Sequence, residues 1–190
     1  THALSEPAFI SAIEVLAANR VDTLIAQDMN YTPTPGVSHA ILAYNRGRRT
    51  GLADGIVITP SHNPPDNGGI KYNPPNGGPA DTDITGKIAD IANELMKNGN
   101  KGVVRMPFEK ARKAGTVGEY DFITPYVGAL ADIIDLAAIK TAGLKLGADA
   151  LGGAGLGYWG PIADAYGLDI DIINGHPDPT FSFMNVDSDG

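Results

Sequence analysis

Residues 54–73, DGIVITPSHNPPDNGGIKYN, join a strand to a proline-bounded loop and a second, shorter strand. Asp54 to Thr59 is a β-branched run without polar alternation, the pattern of a strand covered on both faces of a sheet, and it predicts a central strand. Gly68 to Tyr72 predicts a short strand returning beside it. Between them, Pro60, Pro64 and Pro65 fix three φ angles and remove three backbone donors, so the loop is stiff and holds the Ser61 hydroxyl in place. In open α/β sheets ligands collect beyond the carboxyl ends of strands, which would deliver Ser61 to the functional edge.

Upstream, Ser5 is a candidate helix cap, Pro7 is tolerated in a first turn, and Phe9, Ile13 and Leu16 recur on one helical face. Thr23 to Ala26 reads as a short strand, and the prolines of YTPTPG (residues 31–36) predict a loop. Val37, Ala40, Ile41 and Tyr44 then stripe a second helix. The order helix, strand, helix, strand predicts an α/β fold, a layered mixed but largely parallel sheet flanked by helices.

Downstream, NPPNGGPADTD (residues 73–83) is loop, and Ile84, Ile88, Ile91 and Leu95 mark a helix over 83–97 that Asn98-Gly99 ends. Residues 100–118 carry little pattern, and a helix is expected over 122–136. Lys140 to Leu144 reads as a crossing between domains, giving a first domain over 1–140 and the start of a second over 141–190. In the latter, Leu144 to Ala150, a glycine-rich turn, a helix over 158–166 and Leu168 to Ile173 form one βαβ unit. The chain begins on a helix with no strand before it and stops on the turn sequence Asp187-Ser188-Asp189-Gly190, so it reads as an excised piece, truncated at both ends.

Composition narrows the function. A chain of 190 residues with 43% hydrophobic residues buries a core. Its net charge of -8 repels polyanions, and the cluster Arg46, Arg48 and Arg49 reads as solvated turn charge, so no nucleic-acid partner is expected. No apolar run approaches the roughly 20 residues that span a bilayer, so no membrane partner is expected either. The cysteine-free composition suits the cytoplasm, the expected compartment. A small phosphorylated substrate is compatible with the net charge, since screening over about 8 Å leaves local cations in control of a closed site.

A serine in a proline-rich loop, taken alone, is a turn residue. The wider pattern reads differently: TPSHNPP (59–65) followed by GGIKYN (68–73) resembles the phosphoserine loop of the α-D-phosphohexomutase family. THALSEPAFISAIEVLAAN (1–19), TPTPGVSHAI (32–41), NPPNGGPADT (73–82) and LGGAGLGYW (151–159) extend the resemblance, over nearly the whole chain, to its bacterial glucose-type phosphoglucomutases. The resemblance implies a four-domain isomerase, an intramolecular phosphotransferase that interconverts glucose 1-phosphate and glucose 6-phosphate through phosphoserine and glucose 1,6-bisphosphate. Ser61 would give and take the phosphoryl group, and its phosphate would be one ligand of a magnesium ion whose carboxylates lie outside this chain. His62 and Lys71 would face the phosphosugar, with Lys71 a candidate general acid or base. The missing metal loop, sugar-recognition loop and phosphate-binding domain imply that the chain alone is inactive. Sugar preference, including mannose or glucosamine phosphates, and oligomeric state stay open.

Other classes fit the residues less well. A hydrolase with Ser61 as nucleophile and His62 as base is disfavoured because neighbouring side chains diverge in an extended chain and no G-x-S-x-G occurs. A nucleotide-binding module would use the Gly152 to Gly157 turn, but Tyr158 stands where a third fingerprint glycine belongs. Asp187 and Asp189 read as a turn rather than a calcium loop. His2, His39 and His176 read as surface or satisfied histidines.

Overall fold

The structure, a computed structural model, describes residues 1–184. Three hydrogen-bonded strand pairs are set among seven α-helices in that span. Helix α1 (Ser5–Ala18) buries Ile13 and Ala17, one turn apart, against Ile25 of β1 (Thr23–Ala26) and Ala111 of the short α4 (Phe108–Ala111). Phe9, Met106, Phe108 and Val117 close this core. The expected cap is not formed: Leu4 occupies the N-cap, the Ser5 N–H bonds the His2 carbonyl at 2.9 Å, and the Ser5 hydroxyl is buried without a partner.

Helix α2 (Thr34–Asn45) begins earlier than its prolines suggested, because Pro35 falls in the first turn, where a missing N–H costs nothing. Its Ile41 and Val37 lie over Gly55 of β2 (Gly55–Ile58), so close that a Cβ there would come within 2.8 and 2.9 Å of them. Strand β2 pairs antiparallel with β3 (Ile70–Asn73), from Gly55 opposite Asn73 to Ile58 opposite Ile70. The hairpin was expected, but the central position of β2 was not realised. Among the described residues β3 is its one neighbour, and although Val57 is buried, Ile56 is 44% exposed.

Helix α3 (Thr82–Lys97) follows the expected bounds, yet no residue of its apolar face is buried. Strand β4 (Val117–Tyr120) lies where no element was foreseen and pairs parallel with β1. The helix expected over 122–136 ends early: α5 (Ile123–Ala129) passes into a 3-10 turn at Leu130–Asp132, and a separate helix, α6 (Leu136–Thr141), starts at the last expected residue. The break occurs at Asp135, whose carboxylate accepts the Ala138 N–H at 2.9 Å and caps α6.

Strand β5 (Lys145–Asp149), α7 (Leu156–Tyr166) and β6 (Asp169–Ile173) form the expected βαβ unit, with β5 and β6 parallel from Lys145 opposite Asp169. Gly167, at φ 60°, ends α7 in the left-handed conformation open to glycine. Helix α7 packs on α5: the Tyr158 and Tyr126 rings meet edge to face at 5.5 Å, and the Tyr166 hydroxyl donates to the Val127 carbonyl. Two of the three strand pairs are parallel and helices flank them, so the α/β reading holds. Among the described residues no helix is long and apolar enough to cross a membrane.

Candidate active site

Strand β2 runs directly into the serine loop, and the loop closes where β3 begins. The Thr59 N–H donates to the Gly69 carbonyl at 2.9 Å. Gly69 is needed for this closure, since a Cβ there would lie 2.5 Å from the Thr59 oxygen and 2.9 Å from Pro60 Cα. Inside the loop the Ser61 N–H donates to Thr59 Oγ1 at 3.0 Å and the Asn67 N–H to the Pro64 carbonyl at 3.0 Å. Ser61 has φ 68°, a conformation costing a non-glycine residue of order 1–3 kcal/mol and persisting where its surroundings enforce it.

That conformation presents an exposed Ser61 side chain to Lys71 on β3. Lys71 Nζ donates to Ser61 Oγ at 2.6 Å, a contact made possible by the hairpin register, which sets Lys71 opposite Val57 just beyond the loop. A lysine has three donors and no acceptor, so the contact places positive charge on the serine oxygen. His62 is exposed beside Ser61, and its ring makes no hydrogen bond among the described residues. The structure thus joins Ser61 to Lys71, not to His62, which disfavours the Ser-His hydrolase geometry.

The far end of the hairpin is anchored by two asparagines. Asn45, at the end of α2, donates to the carbonyls of Ala53 and Pro75 at 2.8 and 3.0 Å and accepts the Ala53 N–H at 2.7 Å. Asn73, 2% exposed, donates to the Gly77 carbonyl at 3.0 Å and to Ser38 Oγ at 3.3 Å. The Tyr72 hydroxyl donates to Asp54 at 2.7 Å, and that bond to a carboxylate pushes its pKa up to about 12. Sequence reading missed these anchors because asparagine beside a helix end or a Pro-Pro pair is indistinguishable from an ordinary turn residue.

A cleft of about 210 Å³ opens at the carboxyl ends of β1 and β4, lined by Asp28, Tyr31, Tyr120 and Asp121 among others. Ser61, His62 and Lys71 are not on its walls. An exposed hydroxyl in contact with a cation is the more reactive arrangement, so the loop, not the cleft, is the candidate site. Among the described residues no three His, Asp or Glu side chains converge as metal ligands, and these residues do not make a magnesium site by themselves. Asp187 and Asp189 lie outside the described residues.

The remaining candidates resolve simply. In the glycine-rich turn a Cβ on Gly152 would meet the Phe183 ring at 3.1 Å and the Asp178 nitrogen at 3.2 Å, whereas one on Gly155 would meet nothing within 4 Å. Arg48 donates to the Tyr44 carbonyl at 2.9 Å and lies 4.3 Å over the Tyr44 ring, an exposed local contact. His39 meets Tyr126 edge to face, His176 is exposed, and His2 is buried at 6% exposure with Nε2 2.8 Å from the Asn63 carbonyl.

Residues 1–99 match the family described as phosphoglucomutase/phosphomannomutase, alpha/beta/alpha domain I. A phosphoglucomutase of Komagataeibacter xylinus is 55% identical over 190 residues, all of this chain and 34% of that protein. Phosphoglucomutase 1 of Saccharomyces cerevisiae is 35% identical over 90% of this chain and 33% of its own length. The chain therefore spans about a third of the relatives it matches. Two solved structures share its fold. One, from Thermus thermophilus, has a TM-score of 0.74 at 24% identity over 97% of this chain and 38% of its own. The other, Paramecium pp63/parafusin in an open form, has a TM-score of 0.69 at 20% identity over 96% of this chain and 36% of its own. With over half its length matched to the family's first domain and the serine loop built as described, the chain belongs to the phosphoglucomutase/phosphomannomutase family.

Proposed function

We propose that the intact protein carrying this chain interconverts glucose 1-phosphate and glucose 6-phosphate through a phosphoryl group carried on Ser61. The observation that supports this most is the 2.6 Å bond from Lys71 Nζ to the oxygen of an exposed serine held at the tip of a rigid loop. In the first half-reaction the bond between phosphorus and Ser61 Oγ breaks as one forms to a sugar hydroxyl, whose proton leaves to a base. Charge accumulates on Oγ, where the Lys71 ammonium stabilises it. Oγ takes up a proton as it leaves. In the second half-reaction it gives that proton up to a base as its bond to the other phosphorus of glucose 1,6-bisphosphate forms, the bond from that phosphorus to the sugar oxygen breaks, and the sugar oxygen is protonated as the product departs.

A phosphoserine carries about -1.5 to -2 charges, more than Lys71 alone neutralises, so further cations must serve the site. His62 stands next to Ser61 and is assigned to the substrate side. The resemblance implies magnesium, for which this chain would contribute the Ser61 phosphate as one ligand. The glucose preference follows the 55% identical relative, with mannose phosphate the alternative suggested by the family's description. We propose a division at residue 140, after which β5, α7 and β6 form one βαβ unit. The cytoplasm is the compartment that a cysteine-free sugar phosphate enzyme suits.

Phosphopeptide mass spectrometry of the protein from its native host should find phosphate on Ser61, and S61A should abolish coupled-assay turnover. An unmodified Ser61 together with an active S61A variant would overturn the proposal. Residues 1–190 alone are expected to give no turnover.

A further inference from the structure

His2 is a buried, titratable group that the proposed chemistry does not use, and among the described residues its side chain makes one hydrogen bond, with the serine loop. Its Nε2 lies 2.8 Å from the carbonyl of Asn63, which is 61 residues away in sequence and two residues from Ser61. A carbonyl only accepts, so Nε2 carries the proton. Burial lowers the His2 pKa, which favours the neutral ring. The ring is held in turn by Phe181, whose ring meets it edge to face at 4.8 Å and 76°. Phe181 belongs to a turn organised by the Asp178 carboxylate, which accepts from the backbone and hydroxyl groups of Thr180 and Ser182 at 2.7 to 2.9 Å.

The loop needs such an outside donor. Pro60, Pro64 and Pro65 have no N–H, and the loop's own bonds, Ser61 to Thr59, Asn67 to Pro64 and Thr59 to Gly69, leave the Asn63 carbonyl untied. Leu4, two residues after His2, reaches Gly68 at the other side of the loop, so the same segment underlies both flanks. We propose that His2 is a positioning residue for Ser61: from beneath the loop its Nε2–H fixes the Ser61-His62-Asn63 apex, and Phe181 sets the angle at which it does so. The consequence for turnover rests on the mutase reading above; the consequence for loop order does not.

The test uses the full-length protein with H2F, which keeps a flat ring against Phe181 but loses the donor, and H2Q, which restores an N–H donor. Amide exchange over residues 61–69 should rise about fivefold or more in H2F, the factor a neutral hydrogen bond is worth, and return toward wild type in H2Q. Exchange in β5 and β6 should not change, which shows that the variants fold. With sugar phosphate substrate, H2F should lower kcat by a similar factor with KM little changed. Wild-type exchange in H2F, or equal increases in H2F and H2Q, would overturn the proposal. Absence of phosphate on wild-type Ser61 would refute the mutase reading, and the exchange comparison would still decide the role of His2.

Discussion

Gly69→Ala perturbs the serine loop by a measurable amount. A Cβ at this position would stand 2.5 Å from the Thr59 oxygen and 2.9 Å from Pro60 Cα, so the Thr59–Pro60 backbone must retreat about 0.9 Å to reach the 3.4 Å where ordinary contact begins. Both obstacles are main-chain atoms, and neither can rotate away as a side chain would. The retreat opposes the 2.9 Å bond between Thr59 N–H and the Gly69 carbonyl, and it moves the residue that precedes Ser61. Overpacking of this kind costs about 1–3 kcal/mol. Gly68→Ala is the matched control, because a Cβ there meets only Leu4 side-chain atoms at 3.8 and 3.9 Å, and neither glycine has a positive φ. Urea unfolding of the two variants should place G69A about 1–3 kcal/mol below G68A. In the intact enzyme, a displacement near 1 Å at the nucleophile should also lower kcat about 10²-fold in G69A alone. Equal stability of the two variants would refute the claim that backbone contact closes this loop.

Three other outcomes are expected. Lys71→Met keeps the aliphatic stem and removes the charge 2.6 Å from Ser61 Oγ, so kcat of the intact enzyme should fall about 10²–10³-fold; a variant within about threefold of wild type would remove Lys71 from the chemistry. Asn73→Ala leaves the buried Gly77 carbonyl without its donor and should cost about 1–3 kcal/mol in urea unfolding, and Asn73→Asp, which keeps the volume but not the N–H, should cost at least as much. Tyr72 has a folded pKa of about 12 against an ordinary 10, so the folded state prefers its neutral form; the stability this brings is whole below pH 10 and is lost as pH rises toward 12. Tyr72→Phe should therefore lose less stability than wild type over that interval, and parallel pH profiles for the two proteins would contradict the Tyr72–Asp54 bond.

How much was legible follows from the range over which each signal acts. The β2–loop–β3 hairpin and the β5–α7–β6 unit were readable because strand, turn and return lie within a few tens of residues and each announces itself by side-chain type. The meeting of Ser61 and Lys71 depends on more than their spacing: only the pairing of Ile58 with Ile70 turns ten residues of sequence into a 2.6 Å contact. Strand β4 was invisible because Val117-Gly-Glu-Tyr120 has no apolar run, and it is a strand through its parallel pairing with β1 from a distant part of the chain. The break before α6 was hidden for a smaller reason, since an aspartate inside an apolar stretch reads equally as a polar helix face or as the cap that Asp135 proves to be.

Strand β2 and helix α3 show the same limit of apolar pattern, and its cause is physical. Apolar pattern records that a face needs cover, whereas pairing and packing record what covers it. The uninterrupted run in β2 led to a central strand, yet Ile56 is 44% exposed; the Ile84–Ile88–Ile91–Leu95 stripe led to a helix, which forms, yet Ile91 is 63% exposed with no covering partner among the described residues. The serine loop differs because its contacts are all in place, with Gly69 closing onto Thr59 and Lys71 reaching Ser61 at short range and His2 reaching Asn63 from 61 residues away. A loop tied by one hairpin and one buried histidine keeps these contacts even where the surrounding apolar faces are open, and for that reason the candidate site is recognisable in a chain that spans about a third of its relatives' length.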